Sequence, residues 1–425
     1  MAESTMKHIA IAGAGPAGVA TALLLAQRGF EITLVEQEST FDRAFRGEGL
    51  MPSGLAALHQ MGLKETFDSI PSRQLDAWDF YVGGRRRMRV VEPVEEGLAT
   101  QIFNQTALLE AMVQKAQQSP NFAFHPGCQV VELLRNQADG ATNGAITGLQ
   151  IKDKHSGQVR EILADAVIAA DGRYSRLRKL AGLAIEASPA QFDVLWFKLS
   201  APLHLKHETP FVACLQPDRQ FAFYPSWDDR LQLGWIVEKS DSQPPLNKAS
   251  SAKDWIEAFA QALPPDLAQH FRQQSDALEG PIFLDVRVGC CEQWSVPGLL
   301  LIGDAAHPMA PNRAQGINMA LRDAIVVTNH FVKSVEQSAE GGVNGPMPTD
   351  IFSAIQAERQ PEVEAVQKMQ LAEWRKVAFI SQAGLPYQGF KAIASLFGRF
   401  QFAQNIWLHE QKGLREGVRP VSLQV

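Results

Sequence analysis

Apolar residues change their spacing several times along this 425-residue chain, and each change predicts an element. Residues 9–12 (IAIA) are a continuous apolar run of the kind buried on both faces of a parallel sheet. GAGPAG follows, then a dense apolar stretch through Gln27 that predicts a helix with Pro16 in its first turn, then a second strand ending on Glu36. A helix is expected over Pro52 to Met61, and another from near Gln105, where Leu108, Leu109, Met112 and Val113 share a face. Between them, Trp78 to Val91 alternates as a strand pair across Gly83-Gly84. VIAA at 167–170 and GLLLI at 298–302 are two further apolar strands. From about 190 to 240 the pattern lengthens into the strands VLWFKLS, QFAFYPSW and RLQLGWIVEK, with Asp228-Asp229 at a turn.

This order predicts an α/β protein. A Rossmann-like unit over 1–75, 100–188 and 280–335 is interrupted by a β-sheet domain over 76–99 and 189–279, and a helical C-terminal region follows over 351–425. NQADGATNGAITG (136–148) reads as turns, KSDSQPPLNKASSAK (239–253) as a linker and EQSAEGGVNGPMPTD (336–350) as a flexible insertion between helices. No internal repeat is visible.

A net charge of -6 argues against a nucleic-acid binder, which needs a basic surface. Arg85-Arg86-Arg87, after the two glycines, reads as a solvated hairpin tip; steering of an anionic nicotinamide cofactor is the alternative. The four cysteines show no CxxC spacing, so neither thiol redox chemistry nor a metal site is expected. A reducing cytoplasm fits them. MAESTMK leads directly into the first strand, and no apolar run approaches ~18 residues, so neither export nor a membrane span is expected.

The glycines between the first strand and helix carry chemistry. Gly13 permits a tight turn, Gly15 lets a diphosphate approach the backbone, and Gly18 lets helix and strand pack closely. Pro16 and Ala17 open the helix, whose free N–H groups and partial positive charge favour an anion. Glu36, followed by Gln37, is placed to accept hydrogen bonds from a ribose diol, so the segment is a dinucleotide site.

Two more segments narrow the choice of dinucleotide: DGRYSRLR from Asp171, and GDAAHP from Gly303, followed by Pro311 and by AQGIN from Ala314. In order and spacing, to about residue 330, the three segments resemble the fingerprints of the FAD-dependent aromatic hydroxylases, the p-hydroxybenzoate hydroxylase-like flavoprotein monooxygenases. The resemblance implies non-covalent FAD, with NADH or NADPH as electron donor and O2 and a small molecule as substrates. It implies that Asp304, beside Gly303, binds a ribityl hydroxyl, and that Gln315, Gly316, Ile317 and Asn318 open a helix facing the pyrimidine edge of the flavin. Arg46 and Gln105 fall where the family places flavin-contacting residues, and Asp171 where it forms a groove shared by FAD and the reduced nicotinamide; a strand-end cap is the other reading of Asp171. His307 reads as a structural hydrogen-bonding group rather than an acid or base. The Pro311 carbonyl lies nearest the reacting centre by resemblance, so Pro311, Asn312 and Arg313 are the candidate catalytic residues.

The implied activity is insertion of one oxygen atom into an aromatic or other electron-rich molecule through a flavin C4a-hydroperoxide. A flavin-dependent reductase of an isoprenoid-type substrate stays open; a halogenase is disfavoured because no two tryptophans stand two apart. The chain departs from the family at 313–316, where Arg313 replaces a small residue and Ala314 a glycine, so a left-handed or close-approach requirement at 314 is expected to be relaxed. A buried Arg313 needs a carboxylate, with Glu48 the nearest candidate by motif, or else a substrate with oxygen acceptors; a side chain pointing outward into solvent is the alternative. The family's benzoate-holding arginine falls near Trp227 by resemblance, and this segment has no arginine before Arg230 in the turn, so a small benzoate is disfavoured. Trp196, Phe223, Tyr224, Trp227 and Trp235 are candidate cavity walls, of which alternation lets only about half face a ligand. Ile393, Leu396, Phe397, Phe400, Trp407 and Leu408 recur at helical spacing; packing against the flavin domain is expected, and peripheral membrane contact is the alternative.

Overall fold

The computed structural model describes residues 6–42, 47–136, 144–188, 192–239, 250–341 and 347–425. Arg46 lies outside them, as do 240–249 of the linker, 137–143 of the turn-rich segment and 342–346 of the insertion.

Among the described residues, six strands form the nucleotide sheet in the order Ser295–Val296, Leu299–Leu301, Ala166–Ala169, His8–Ala12, Glu31–Val35 and Phe122–His125. All neighbours pair in parallel except the short first strand. Helix Pro16–Ala26 is buried along nearly its whole length, packed between this sheet and helix Gln315–Gly341. Glycine makes that fit. A Cβ on Gly18 would stand 1.9 Å from the Gly13 carbonyl oxygen, and one on Gly13, whose φ is +101°, would stand 2.4 Å from that of Ala170.

The second sheet has seven strands in the order Glu279–Leu284, Phe192–Ser200, Arg230–Glu238, Arg219–Pro225, Pro210–Gln216, Ala77–Val82 and Arg85–Val91. Glu279–Leu284 pairs with Phe192–Ser200, so this sheet runs past position 279, the boundary expected from sequence. Pro210–Gln216, which no sequence pattern singled out, pairs in parallel with Ala77–Val82 and ties the early hairpin to the later strands. One face is covered by helices Ala252–Ala260 and Pro265–Gln273, where Trp255, Phe259 and Phe271 pack with Phe197, Phe221, Phe223 and Trp235. The opposite face looks toward the nucleotide domain and lines a cavity.

Helices Thr349–Ser381, Leu385–Phe397 and Gln401–Glu416 close the structure. The first is held by buried charges. Asp323, on helix Gln315–Gly341, accepts from the Gly303 backbone N–H (3.0 Å) and from Arg359 Nε (2.7 Å), and pairs with His307 Nε2 (2.8 Å). Glu362 takes Arg359 and Arg322 together and accepts from the Val418 backbone N–H at 3.0 Å. Burial would push the Asp323 carboxyl up, but His307 and Arg359 outweigh it and hold the group at about 2. Its contribution to stability is therefore full above the ordinary carboxyl value of 3.8 and is lost as pH falls through about 2. Arg359→Met leaves two buried carboxylates short of a cation, and a loss of about 3–5 kcal/mol is expected. Urea unfolding of the FAD-loaded variant at neutral pH measures it.

Candidate active site

A continuous cavity of about 1770 Å³ runs between the two sheets. A small-molecule pocket is typically about 300–1,000 Å³, so this one has room for a dinucleotide and a second molecule. Gly13, Gly15, Pro16, Ala17, Glu36 and Gln37 line one region; Gln105, Asp171, Asp304, Pro311, Asn312, Arg313, Gly316 and Ile317 line others. Gly18, Gly303, Gln315 and Asn318 do not line it. Gly18 fits helix to turn, and the Gly303 N–H is held by Asp323.

The first region fits a diphosphate. Nothing lies within 4 Å of a Cβ built on Gly15, so its backbone opens onto the cavity at the start of helix Pro16–Ala26. Glu36 reinforces the turn, accepting from the Ala14 N–H at 2.8 Å and the Glu38 N–H at 3.0 Å. Asp171 has the cap geometry: it accepts from Ser175 Oγ (2.5 Å) and the N–H groups of Arg176 (2.7 Å) and Leu177 (3.1 Å). Burial raises its pKa, although these hydrogen bonds oppose the shift. Asp304 lies 3.5 Å from Arg173. His307 is buried against Asp323, a structural position.

Residues 311–314 correct two expectations. The left-handed backbone at 314 is not relaxed: Arg313 has φ +60° and Ala314 φ +51°. Two consecutive non-glycine residues in this region cost about 1–3 kcal/mol each, so neighbours must fix the turn. Gln315 Nε2 donates to the Arg313 carbonyl and Asn318 Nδ2 to that of Ala314, both at 2.7 Å. Arg313 itself is paired, but with Glu373 rather than Glu48. Its Nε and Nη2 donate to Glu373 at 3.0 and 2.5 Å, while its guanidinium lies 4.4 Å from the Trp78 ring centre and 4.9 Å from that of Trp407. Burial would raise the Glu373 pKa; Arg313 and hydrogen bonds from Asn312 and Gln411 more than offset it, keeping the carboxyl below its ordinary range. The geometry favours Glu373 because helix Thr349–Ser381 passes alongside, with Gln370 donating to the carbonyls of Ala310 (2.9 Å) and Asn312 (2.7 Å).

Glu48 belongs to a second cluster on the cavity wall. Ser226 Oγ donates to it at 2.6 Å, the Gln232 amide at 2.9 Å, and Lys198 Nζ lies at 3.4 Å. Burial dominates and pushes its pKa up to about 7, against the pull of Lys198. Sequence reasoning missed both Lys198, whose signal is a lone cation within the apolar strand VLWFKLS, and Glu373, which carries no sequence signal. Of the candidate aromatic walls, Trp196 and Tyr224 line the cavity, while Phe223 and Trp235 pack into the far face of the sheet. Trp227 lies under Lys198, 5.7 Å from ring centre to Nζ.

Residues 6–343 match the family model described as the FAD binding domain. The chain is 32% identical over 381 residues to 6-methylpretetramide 4-monooxygenase of Streptomyces rimosus, covering 88% of this chain and 85% of that protein. It is 25% identical over 325 residues to squalene monooxygenase SE2 of Panax ginseng, covering 75% of this chain and 57% of the relative. The solved structure of p-nitrophenol 4-monooxygenase from Pseudomonas putida DLL-E4 shares the fold, with a TM-score of 0.72 at 18% identity over 98% of this chain and 99% of that one. With its glycine turn opening onto a cavity large enough for the cofactor and a second molecule, the chain belongs to the FAD binding domain family and is an FAD-dependent monooxygenase of the aromatic hydroxylase type.

Proposed function

We propose that the protein uses NADH or NADPH to reduce bound FAD and inserts one oxygen atom from O2 into an aromatic or other electron-rich small molecule held beneath the seven-stranded sheet. The observation that carries this reading is the continuity of the cavity from the glycine turn to a chamber walled by Trp78, Phe80, Trp196, Phe211 and Tyr224. Bound FAD supplies the redox chemistry and the activation of O2. Gly13, Gly15, Pro16, Ala17 and Gly18 form the diphosphate turn, Glu36 and Gln37 take the ribose, and Asp304 takes the ribityl chain, with Gly303 setting its turn. Gln105, Arg46 and the helix start at Gln315, Gly316, Ile317 and Asn318 hold the ring system, and Asp171 shapes the groove by which the nicotinamide donor arrives. Pro311, Asn312 and Arg313 form the wall between cofactor and substrate.

Glu48 is the chamber's adjustable proton acceptor. Below about 7 it holds a proton and can donate; above, it is a carboxylate facing the substrate space. The apolar walls exclude water, and S. rimosus 6-methylpretetramide 4-monooxygenase, the 32% identical relative, also bears the name of an oxygen-inserting enzyme.

Purified FAD-loaded protein is expected to consume NAD(P)H and O2 in equal amounts with a productive substrate, and to place one atom of labelled O2 in the product. Reduction only by an external protein donor, or no label in the product, would defeat the reading. The raised Glu48 pKa stabilises the fold fully below 4.5, and the contribution is lost as pH rises through about 7. Relative to wild type, Glu48→Gln should therefore gain up to about 3 kcal/mol between those limits, read from urea midpoints across pH. Arg313→Gly removes the guanidinium between the indoles and strands Glu373, and this loss outweighs the relief of the left-handed backbone. The substrate KM should rise about tenfold, with NAD(P)H oxidation partly uncoupled from product, as for roughly 1.4 kcal/mol of lost positioning. Wild-type KM and coupling would show that the clamp has no part in the site.

A further inference from the structure

The C-terminal helices present an apolar face that nothing among the described residues covers. Leu385 is 89% exposed, Leu396 66%, Ile393 59%, Ile406 56%, Phe400 54% and Phe402 53%. Positions 393, 396, 397 and 400 follow helical spacing, and the rings of Phe397, Phe400 and Phe402 touch one another at 6.1–6.3 Å between centres. Trp407 and Leu408 pack against a cluster of Met51, Leu75, Trp78 and Val90 that spans both sheets' domains, whereas Ile393, Leu396, Phe397 and Phe400 are exposed rather than packed against the flavin domain as expected from sequence. Scattered apolar residues are ordinary on a protein surface; a contiguous group marks a binding surface.

The charge carried by these helices is mostly positive, although Asp218 accepts from the Ala383 backbone N–H at 3.0 Å beside Leu385. From Trp374 to His409 the chain holds no Asp or Glu but carries Arg375, Lys376, Lys391 and Arg399, although its net charge is -6. Lys391 lies over the hairpin turn, its Nζ 3.3 Å from where a Cβ on Gly83 would stand, and Gly398 sits against the Arg87 carbonyl. That contact brings the exposed Arg85 and Arg86 beside the same helix. Arg86 pairs with Asp79, and Lys376 with Glu410 at the far end of the face. A second copy of the chain docked on the same face would set cations against cations. An anionic lipid surface supplies both apolar depth and opposite charge.

The face is also the outer end of the cavity, since Ile393, Phe397, Ala403 and Ile406 line it there and Trp407 stands next inside. No helix among the described residues is long and apolar enough to cross a membrane, so contact would be with the helices lying in the surface. We propose that this face docks on an anionic membrane and that the substrate is an apolar molecule drawn from the lipid into the cavity. The second clause rests on the oxygen-insertion reading above; the docking does not.

Flotation of the full FAD-loaded chain with phosphatidylcholine vesicles, with and without phosphatidylglycerol, tests the proposal. Binding is expected to the anionic vesicles and to be released by salt. Lys391→Gln with Arg399→Gln should weaken it about tenfold or more. Leu385→Glu, Leu396→Glu and Phe400→Glu together should abolish it; these side chains are exposed and outside the cavity lining, so flavin reduction by NAD(P)H in buffer should persist. Failure to float on either lipid overturns the docking, as does wild-type flotation of the triple variant. A wild-type dimer in light scattering that the triple variant turns into a monomer also overturns it, assigning the face to a second copy. Flotation without any flavin reduction in wild type would overturn the reaction reading alone.

Discussion

One buried carboxylate organises the cofactor end of the molecule. Asp323 takes the backbone of Gly303, the ring of His307 and the guanidinium of Arg359 at once, and so joins the end of a sheet strand to two long helices. Each partner is itself buried, and leaving any of them without Asp323 would strand a polar group away from water. The position of Asp304, one residue beyond Gly303, is thus set by an interaction on the side of the turn that faces away from the cavity.

Where function demanded particular backbone, the sequence was legible. Gly13 and Gly18 can be no other residue without collision, and an apolar run on either side of such a turn has few other uses. The hairpin at Gly83-Gly84 was equally plain, since both residues have positive φ. Helix Thr349–Ser381 was a different matter. Its buried side contains Arg359, Glu362, Gln367 and Gln370 as well as Phe352, Val363 and Val366. A polar stripe reads as a solvent face, but here it serves the backbone of other segments: Gln367 donates to Gly289 at 2.7 Å and Gln370 to Ala310. For the same reason Glu373 was invisible as the partner of Arg313, a contact between residues sixty apart that periodicity cannot encode.

At 313–314 the backbone is left-handed at two consecutive residues, neither of them glycine. Two side chains stand where glycine would be easier, and the fold holds them there by anchoring both carbonyls and stacking the arginine between indoles. The strain and the clamp belong together. An arginine that reaches Glu373 and both tryptophans from this turn does so because its backbone is left-handed.

Arg359 and Glu373 stand fourteen residues apart on one helix, about four turns, and both face inward. The first grips Asp323 behind the Gly303 turn and the second grips Arg313 on the cavity wall. A single inserted or deleted residue between them would turn the downstream half by about 100°, removing Gln370 and Glu373 from their partners while leaving the helix intact. A change of length in this interval would therefore break contacts that a substitution elsewhere leaves alone, and the helix works as a gauge that keeps its partners Asp323 and Arg313 in register.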